Sequence, residues 1–190
     1  MIPPFPLIFL VWNMKPCTTA VRCEPNKWIY KNAHIIPSTY EHGIMLAPYL
    51  READKKEIQA SLGWEPEKAL THSIAVSEPG DAVVTPDGDP MAVFGAAPYQ
   101  DKFGLIWFMS SDQIFKLNRR DFIKNSKFWV EKFFENYDIL FNVIDARNDL
   151  HIRWLKWIGF EFIADIENFG VEKRTFRQFV RYKDDGVNIT

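Results

Sequence analysis

Apolar and polar positions change period several times along this chain, and each change marks an element. Ile139, Leu140, Phe141, Val143 and Ile144, interrupted only by Asn142, form a run of strand length, as expected of a strand covered on both faces. Asp145, Ala146, Arg147 and Asn148 break the run, and Asn148 suits the N-cap of a helix. Leu150, Trp154, Trp157 and Ile158 then recur at helical spacing until Gly159, and a second strand opens at Phe160. The pattern predicts a strand-helix-strand corner.

Upstream, Trp28 to Ile36 reads as a strand ended by Pro37. Leu46 to Ser61 reads as one amphipathic helix, with Leu46, Leu50 and Ala53 on one side and Arg51, Glu52, Lys55 and Lys56 on the other. Glu52 and Lys56 form an i,i+4 pair, and Gly63 closes the helix. Pro66 suits the first turn of a second helix, whose packing stripe is Ala69, Leu70, Ser73, Ile74 and Ser77. Ala82 to Thr85 and Pro90 to Gly95 are strands joined through Pro86, Asp87, Gly88 and Asp89, a hairpin signal. Gly104 to Met109 is a further apolar strand. After Asn118 a longer helix begins, carrying Val130, Phe133, Phe134 and Tyr137 at i, i+3, i+4 and i+7. Phe160 to Asp165 and Thr175 to Arg181 form a final antiparallel pair around Gly170, and Phe176, Gln178, Val180 and Tyr182 give the last strand a largely aromatic face.

With 190 residues, 47% of them hydrophobic, the chain suits one domain with a full core over residues 27–190. Residues 1–26 lack sustained periodicity and read as an arm or tail. A formal net charge of -2 gives no basic footprint for a nucleic-acid backbone, so nucleic acid is not an expected partner. Sixteen Phe and seven Trp are many for this length; they fit either an aromatic core or rings lining a pocket or interface. Cys17 and Cys23 are the two cysteines, with free thiols as the default and a local bridge as the alternative. The apolar run Leu7 to Trp12 is shorter than the roughly 20 residues a membrane span needs. No basic residue precedes it, so a secretory signal is poorly supported and a cytoplasmic protein is implied; Met14 offers an alternative start of translation. His34, His42, His72 and His151 show no metal-ligand spacing, no Gly-x-Ser-x-Gly elbow occurs, and no metal site is expected.

Asn148 opening a short helix, with Gly159 and Phe160 ending it, resembles the last part of the GCN5-related N-acetyltransferase (GNAT) fold. A longer string is similar to a narrower family, the small internal virion protein (gene-thirteen product) of short-tailed coliphages. It runs from Trp107, Phe108, Met109, Ser110, Ser111, Asp112 and Gln113 through Tyr137 and Asp138 to His151, Ile152, Arg153, Trp154, Leu155 and Lys156. The resemblance extends from Lys27 to Tyr182 and is strongest from Trp107 to Phe160. It implies a single α+β domain with a mixed, mostly antiparallel sheet of six to seven strands and about four helices. The element order strand, helix, helix, three strands, helix, strand, helix, two strands agrees with that sheet.

The resemblance also implies acetyl-CoA as a cofactor, entering where two adjacent strands splay apart. Trp107, Met109, Ser110, Ser111 and Asn148 would then be its contact residues, with catalytic residues undetermined. Two departures bear on this. The stretch from Ser110 to Arg120, where the superfamily carries an Arg/Gln-x-x-Gly-x-Gly/Ala loop for the pyrophosphate, contains no glycine. Lys116, Arg119 and Arg120 could meet a phosphate there, whereas Asp112 opposes one. The position at which many relatives place a proton-donating Tyr is Leu155, which cannot donate. Glu52, Asp54 and Glu57 are candidate bases, with plain surface charge the favoured reading. Asn148 is favoured as a helix cap over a pantetheine contact. The leading expectation is a phage protein of virion morphogenesis, found in the host cytoplasm and in the virion, with other virion or host proteins as partners and catalysis weak or lost. The alternatives are a working N-acetyltransferase acting on a host protein or small-molecule amine, and a host-directed inhibitor.

Overall fold

The computed structural model describes residues 33–184. The arm expected over 1–26, both cysteines and the start of the strand expected from Trp28 lie outside the described residues. The elements are β1 (His34–Pro37), α1 (Tyr40–Leu46), a 3₁₀ turn (Ala47–Tyr49), α2 (Glu52–Leu62), α3 (Pro66–Val76), β2 (Gly80–Val84), β3 (Pro90–Gln100), β4 (Phe103–Ser110), α4 (Gln113–Phe133), β5 (Ile139–Asp145), α5 (Asp149–Trp157), β6 (Glu161–Phe169) and β7 (Arg174–Tyr182). One seven-stranded sheet runs in the order β1-β2-β3-β4-β5-β7-β6, antiparallel except for β4 against β5. The fold class and the mixed sheet are those the sequence implies, with five α-helices among the described residues where about four were expected.

The extra helix, α1, lies over a segment that the periodicity leaves unassigned and ends at Leu46. The helix expected from Leu46 to Ser61 begins only at Glu52, because Pro48 sits in the 3₁₀ turn and Leu50 and Arg51 are extended, at ψ 144 each. Leu50 then bridges to Ser111, which ties this extended stretch to the end of β4. Upstream, Thr39 and His42 form a capping box that starts α1. The C-cap of α2 is Gly63 at φ 66, as its position predicts. The long helix also departs from expectation: it starts at Gln113, not after Asn118, and only Ser111 and Asp112 separate it from β4.

Helices pack on both faces. On one, Ile114, Phe122, Val130 and Phe133 of α4 and Ile152 and Leu155 of α5 cover Phe94, Ile106, Leu140, Ile144 and Phe179. On the other, α1 to α3 bring Leu46, Ile58 and Leu70 against Ala82, Val84 and Val93, while Ala60 and Val76 meet Leu105, Phe141, Phe176 and Val180. Each large apolar side chain among these stabilises the fold by roughly 1.5–3 kcal/mol relative to exposure. The stripe expected on α5 is rotated: Ile152, Leu155 and Ile158 are buried, and Leu150 and Trp157 are exposed. At the outer edge, β6 breaks register with β7 twice and turns Glu161, Asp165 and Glu167 to solvent, devices that discourage edge-to-edge pairing.

The β4–β5 ladder is short. Only Phe103, Gly104 and Leu105 pair with Ile139, Leu140 and Phe141, and beyond these the strands part. The base of the split is packed by Tyr137, whose ring leaves no room for a side chain at Gly104, since a Cβ there would lie 2.8 Å from it. The Tyr137 hydroxyl donates to the carbonyls of Glu78 and Ala96, pinning the start of β5 to the β2–β3 side of the sheet. Among the described residues no helix is long and apolar enough to cross a membrane.

Candidate functional site

Where β4 and β5 part, the backbone groups on β4 that a parallel neighbour would use need other partners. Ser111 N–H donates to Met91 O on the β3 side, so the groups of Ser110 and, two residues back, of Phe108 and Ile106 face the split. The chain itself meets two of these positions. Asn142 Nδ2 of β5 donates to Ile106 O at 2.7 Å, a side-chain latch across the opening. At the far end, Ser110 N–H donates to Asp54 Oδ2 at 3.2 Å, and Arg51 N–H donates to Ser110 O at 3.0 Å.

The segment that reaches across, Arg51 to Asp54, is held by its own buried ion pair. Arg51 donates through Nε at 3.1 Å and Nη2 at 2.5 Å to the two oxygens of Asp54, and the residues are only 7% and 5% exposed. Burial still raises the Asp54 pKa despite the guanidinium. One turn further along α2 stands Glu57, whose Oε2 accepts from Asn148 Nδ2 at 3.2 Å and from Asp145 N–H at 3.4 Å. Removal from water, and then the neighbouring Asp54 charge, push the Glu57 carboxyl up to about 8. Asn148 therefore has two bonds: its carbonyl oxygen caps α5 by accepting from His151 N–H at 3.4 Å, and its amide holds Glu57.

Behind these groups the split opens into a cavity of about 200 Å³. Glu57, Asp54, Trp107, Phe108, His151 and Trp154 contribute to its wall. His151 lies at 5.0 Å from Trp154 and 6.2 Å from Phe108, ring centre to ring centre. Burial first, and the Arg51 charge second, lower its pKa to about 3, so the imidazole is neutral across the physiological range.

Of the residues expected to contact a cofactor, Trp107 and Met109 line this cavity, and the Trp107 indole donates to Ser77 Oγ at 2.7 Å. Ser110 and Ser111 are buried at the end of β4, Ser111 Oγ donating to Met91 O. Asn148 joins the group through Glu57 rather than through the strand edge. Leu155 lines the cavity one turn after His151. The surface-charge reading holds for Glu52, which pairs with Lys55 rather than Lys56, and fails for Asp54 and Glu57. Arg51, placed on the solvent side by periodicity, is buried. A signal was present: Arg51, Asp54 and Glu57 recur every three residues beside Ile58, a charged stripe on a packing face. His151 and Glu57 were missed as members of one site because the contact that joins their elements links residues 91 positions apart, Glu57 to Asn148.

The start of α4 offers little to a pyrophosphate. The helix begins two residues after the strand, Asp112 stands at its N-cap, and no glycine lets backbone amides approach an anion closely. Lys116 and Arg120 are exposed; the side chain of Arg119 is outside the described residues. These residues do not build the amide cradle of the acetyltransferase superfamily. Among the described residues no group of His, Cys, Asp and Glu has the arrangement of a metal site.

Residues 83–166, from the end of β2 into β6, match a family described as "Bacteriophage T7, probable scaffold protein Gp13". The crevice-forming half of the chain is gene-thirteen-like. Across 78 residues, 40% of this chain, it is 37% identical to the probable scaffold protein gp13 of Escherichia phage T7 and covers 53% of it. The match thus spans about half the length of that curated relative. Among solved structures, a GNAT-family acetyltransferase from Bacillus anthracis superposes with a TM-score of 0.62 at 9% identity, covering 81% of this chain and 96% of that one. The ribosomal-protein-S5-alanine acetyltransferase of Vibrio fischeri gives 0.58 at 12% identity, covering 83% and 97%. The fold is GNAT-like, and the gene-thirteen resemblance read from the Trp107 to Lys156 string is the one the family comparison finds.

Proposed function

We propose that this chain is a bacteriophage particle-assembly protein that uses a GNAT-like fold as a structural body, with the acetyl-CoA slot closed by its own α2 start. The observation that carries the proposal is the pair of bonds on Ser110: Asp54 and the Arg51 amide take the rung of β4 that a cofactor's pantetheine arm would need. The abrupt start of α4 with Asp112 at its cap supports the same reading from the nucleotide side. Its partners are then other virion or host proteins, met in the host cytoplasm and in the particle. Two experiments test this. Titration calorimetry with acetyl-CoA gives no saturable heat, and thermal unfolding does not shift at a concentration that would add about 2.7 kcal/mol to a binder at 100 times its Kd. Proteomics of purified particles finds the protein, and deletion of its gene lowers the yield of infectious particles. Absence from particles together with normal yield would reject the assembly role.

A second reading has one observation in its favour. A carboxyl with a pKa of about 8 in a crevice is matched to taking a proton from an amine, the step an N-acetyltransferase needs. On that reading Glu57 is the base, and acetyl-CoA binds by opening the Ser110 rung. Saturable acetyl-CoA heat that survives Glu57→Gln, together with acetyl transfer that does not, would favour it over the first.

A further inference from the structure

We propose that the cavity in the β4–β5 split, walled by α2 and α3 on one side and by α4 and α5 on the other, is a binding site for a small neutral aromatic molecule, of one ring or two fused rings, carrying one hydroxyl or ring N–H. The inference stands on the shape and lining of the cavity and holds whether the chain assembles particles or transfers acyl groups.

Size is the first argument. An apolar cavity of about 150 Å³ is enough to take up benzene, so the roughly 200 Å³ here suits a substituted single ring or an indole-sized bicycle. It is far too small for a nucleotide-bearing cofactor as a whole. The wall is the second. Phe108 lies 5.2 Å from Phe122 and 5.4 Å from Trp154, and Phe122 stacks on Trp154 at 5.5 Å, ring centre to ring centre, while Trp107 and Trp129 extend the lining. Edge and face contacts with such rings favour another aromatic group beyond simple area burial.

Polarity is the third argument. His151 Nδ1 and His72 Nε2 both belong to cavity-lining residues, both are buried, and among the described residues neither has a hydrogen-bond partner. An unmet buried polar atom is costly, and a ligand hydroxyl or ring N–H would relieve one of them. The charges decide the ligand's own charge. A carboxylate would face the Asp54 charge, and the one buried cation near it among the described residues, Arg51, is already held by both oxygens of Asp54. Among the described residues that line the cavity an ammonium would find no free counter-charge, since Glu57 is mostly protonated near neutrality and Asp54 is matched. A neutral donor is what remains.

The test is calorimetric titration of the full chain with indole and phenol, beside toluene, benzoate and benzylammonium as controls. Indole and phenol are expected to bind saturably at one site, and benzoate and benzylammonium at least about tenfold more weakly. Leu155→Trp, one turn from His151, fills the cavity and should abolish binding. His151→Phe should lower phenol affinity about tenfold, the loss of one hydrogen bond, while leaving toluene unchanged. No saturable heat for indole and phenol up to millimolar concentration would overturn the proposal. So would charged analogues binding as tightly as phenol, or His151→Phe and a folded Leu155→Trp both binding as the native chain does. Should Leu155→Trp fail to fold by circular dichroism, the His151→Phe variant and the ligand series decide.

Discussion

Removing the Asp54 carboxyl strips three acceptor contacts at once: Arg51 Nε at 3.1 Å, Arg51 Nη2 at 2.5 Å and Ser110 N–H at 3.2 Å. Asp54→Ala leaves a guanidinium on a residue only 7% exposed with no counter-charge, and a backbone donor at the end of β4 unmet. Breaking one side of a buried pair costs about 3–5 kcal/mol. Domains of this size hold about 5–15 kcal/mol in total, so the variant should lose a fifth or more of its stability and unfold at a clearly lower denaturant concentration. The double variant Arg51→Met with Asp54→Ala removes both charges, and with Arg51→Met alone it completes a double-mutant cycle. It should recover part of the loss, because the desolvation cost of the pair disappears with it while the Ser110 N–H stays unmet. Urea unfolding followed by tryptophan fluorescence measures all four corners of the cycle. A cost below about 1 kcal/mol for Asp54→Ala, or a double variant as unstable as the sum of the singles, would refute the picture of a dry pair clamping the strand end.

Stability should also follow pH in a defined way. Glu57 has a folded pKa of about 8 against an ordinary 4.5, so the native state binds the extra proton, and its contribution is lost as pH rises from about 4.5 through 8. Asp81, raised to about 7 by burial, acts in the same direction, so Glu57→Gln should flatten the alkaline limb in part, by a few kcal/mol, as read by unfolding between pH 5 and 9. His151 works oppositely: with a folded value of about 3 against 6.5, its contribution is intact above 6.5 and falls away as pH drops below it, and His151→Phe should weaken that acid limb. At the β6–β7 turn, Gly170 sits at φ 69 and an added Cβ would lie 2.2 Å from Ala60 O, whereas Gly88, at φ 94, faces open space. Gly170→Ala should therefore cost well above the about 1–2 kcal/mol expected of Gly88→Ala, by the same unfolding assay. Asn148→Ala loses both a helix cap and the Glu57 partner and should cost about 2 kcal/mol, and Asn148→Asp, which keeps the cap but sets a second carboxyl beside Glu57, should not restore it at pH 8.

What could be read from the chain alone was whatever is encoded by neighbours in sequence. The run from Ile139 to Ile144, the cap at Asn148 and the stop at Gly159 depend on local period and on single residues with special backbone freedom, and each stands where the pattern places it. The helix break at Pro48 was legible in principle but masked by Leu46 and Leu50, which keep a helical spacing across it because both are buried for different reasons, one in α1 and one at the Ser111 bridge. The start of α4 was misplaced because a glycine-bearing loop is what the superfamily has there, and this sequence turns into helix without one. The site was least visible. Charged residues on a helix look solvated unless their partners are known, and the partners of Asp54 and Glu57 come from β4 and from the β5–α5 corner. Periodicity carries no information about contacts of that separation.

The three-rung seam at Phe103 to Leu105 makes the sheet behave like a pair of scissors whose rivet lies at its base. With Tyr137 bolting that end to the opposite blade, any widening must swing outward from the rivet and grow toward the tips. The first catch along the blades is one amide side chain, Asn142, and the last is the Arg51–Asp54 clasp. The aperture is governed by rotamers and one ion pair rather than by strand pairing, so the jaws can be tuned by single substitutions without unravelling the sheet.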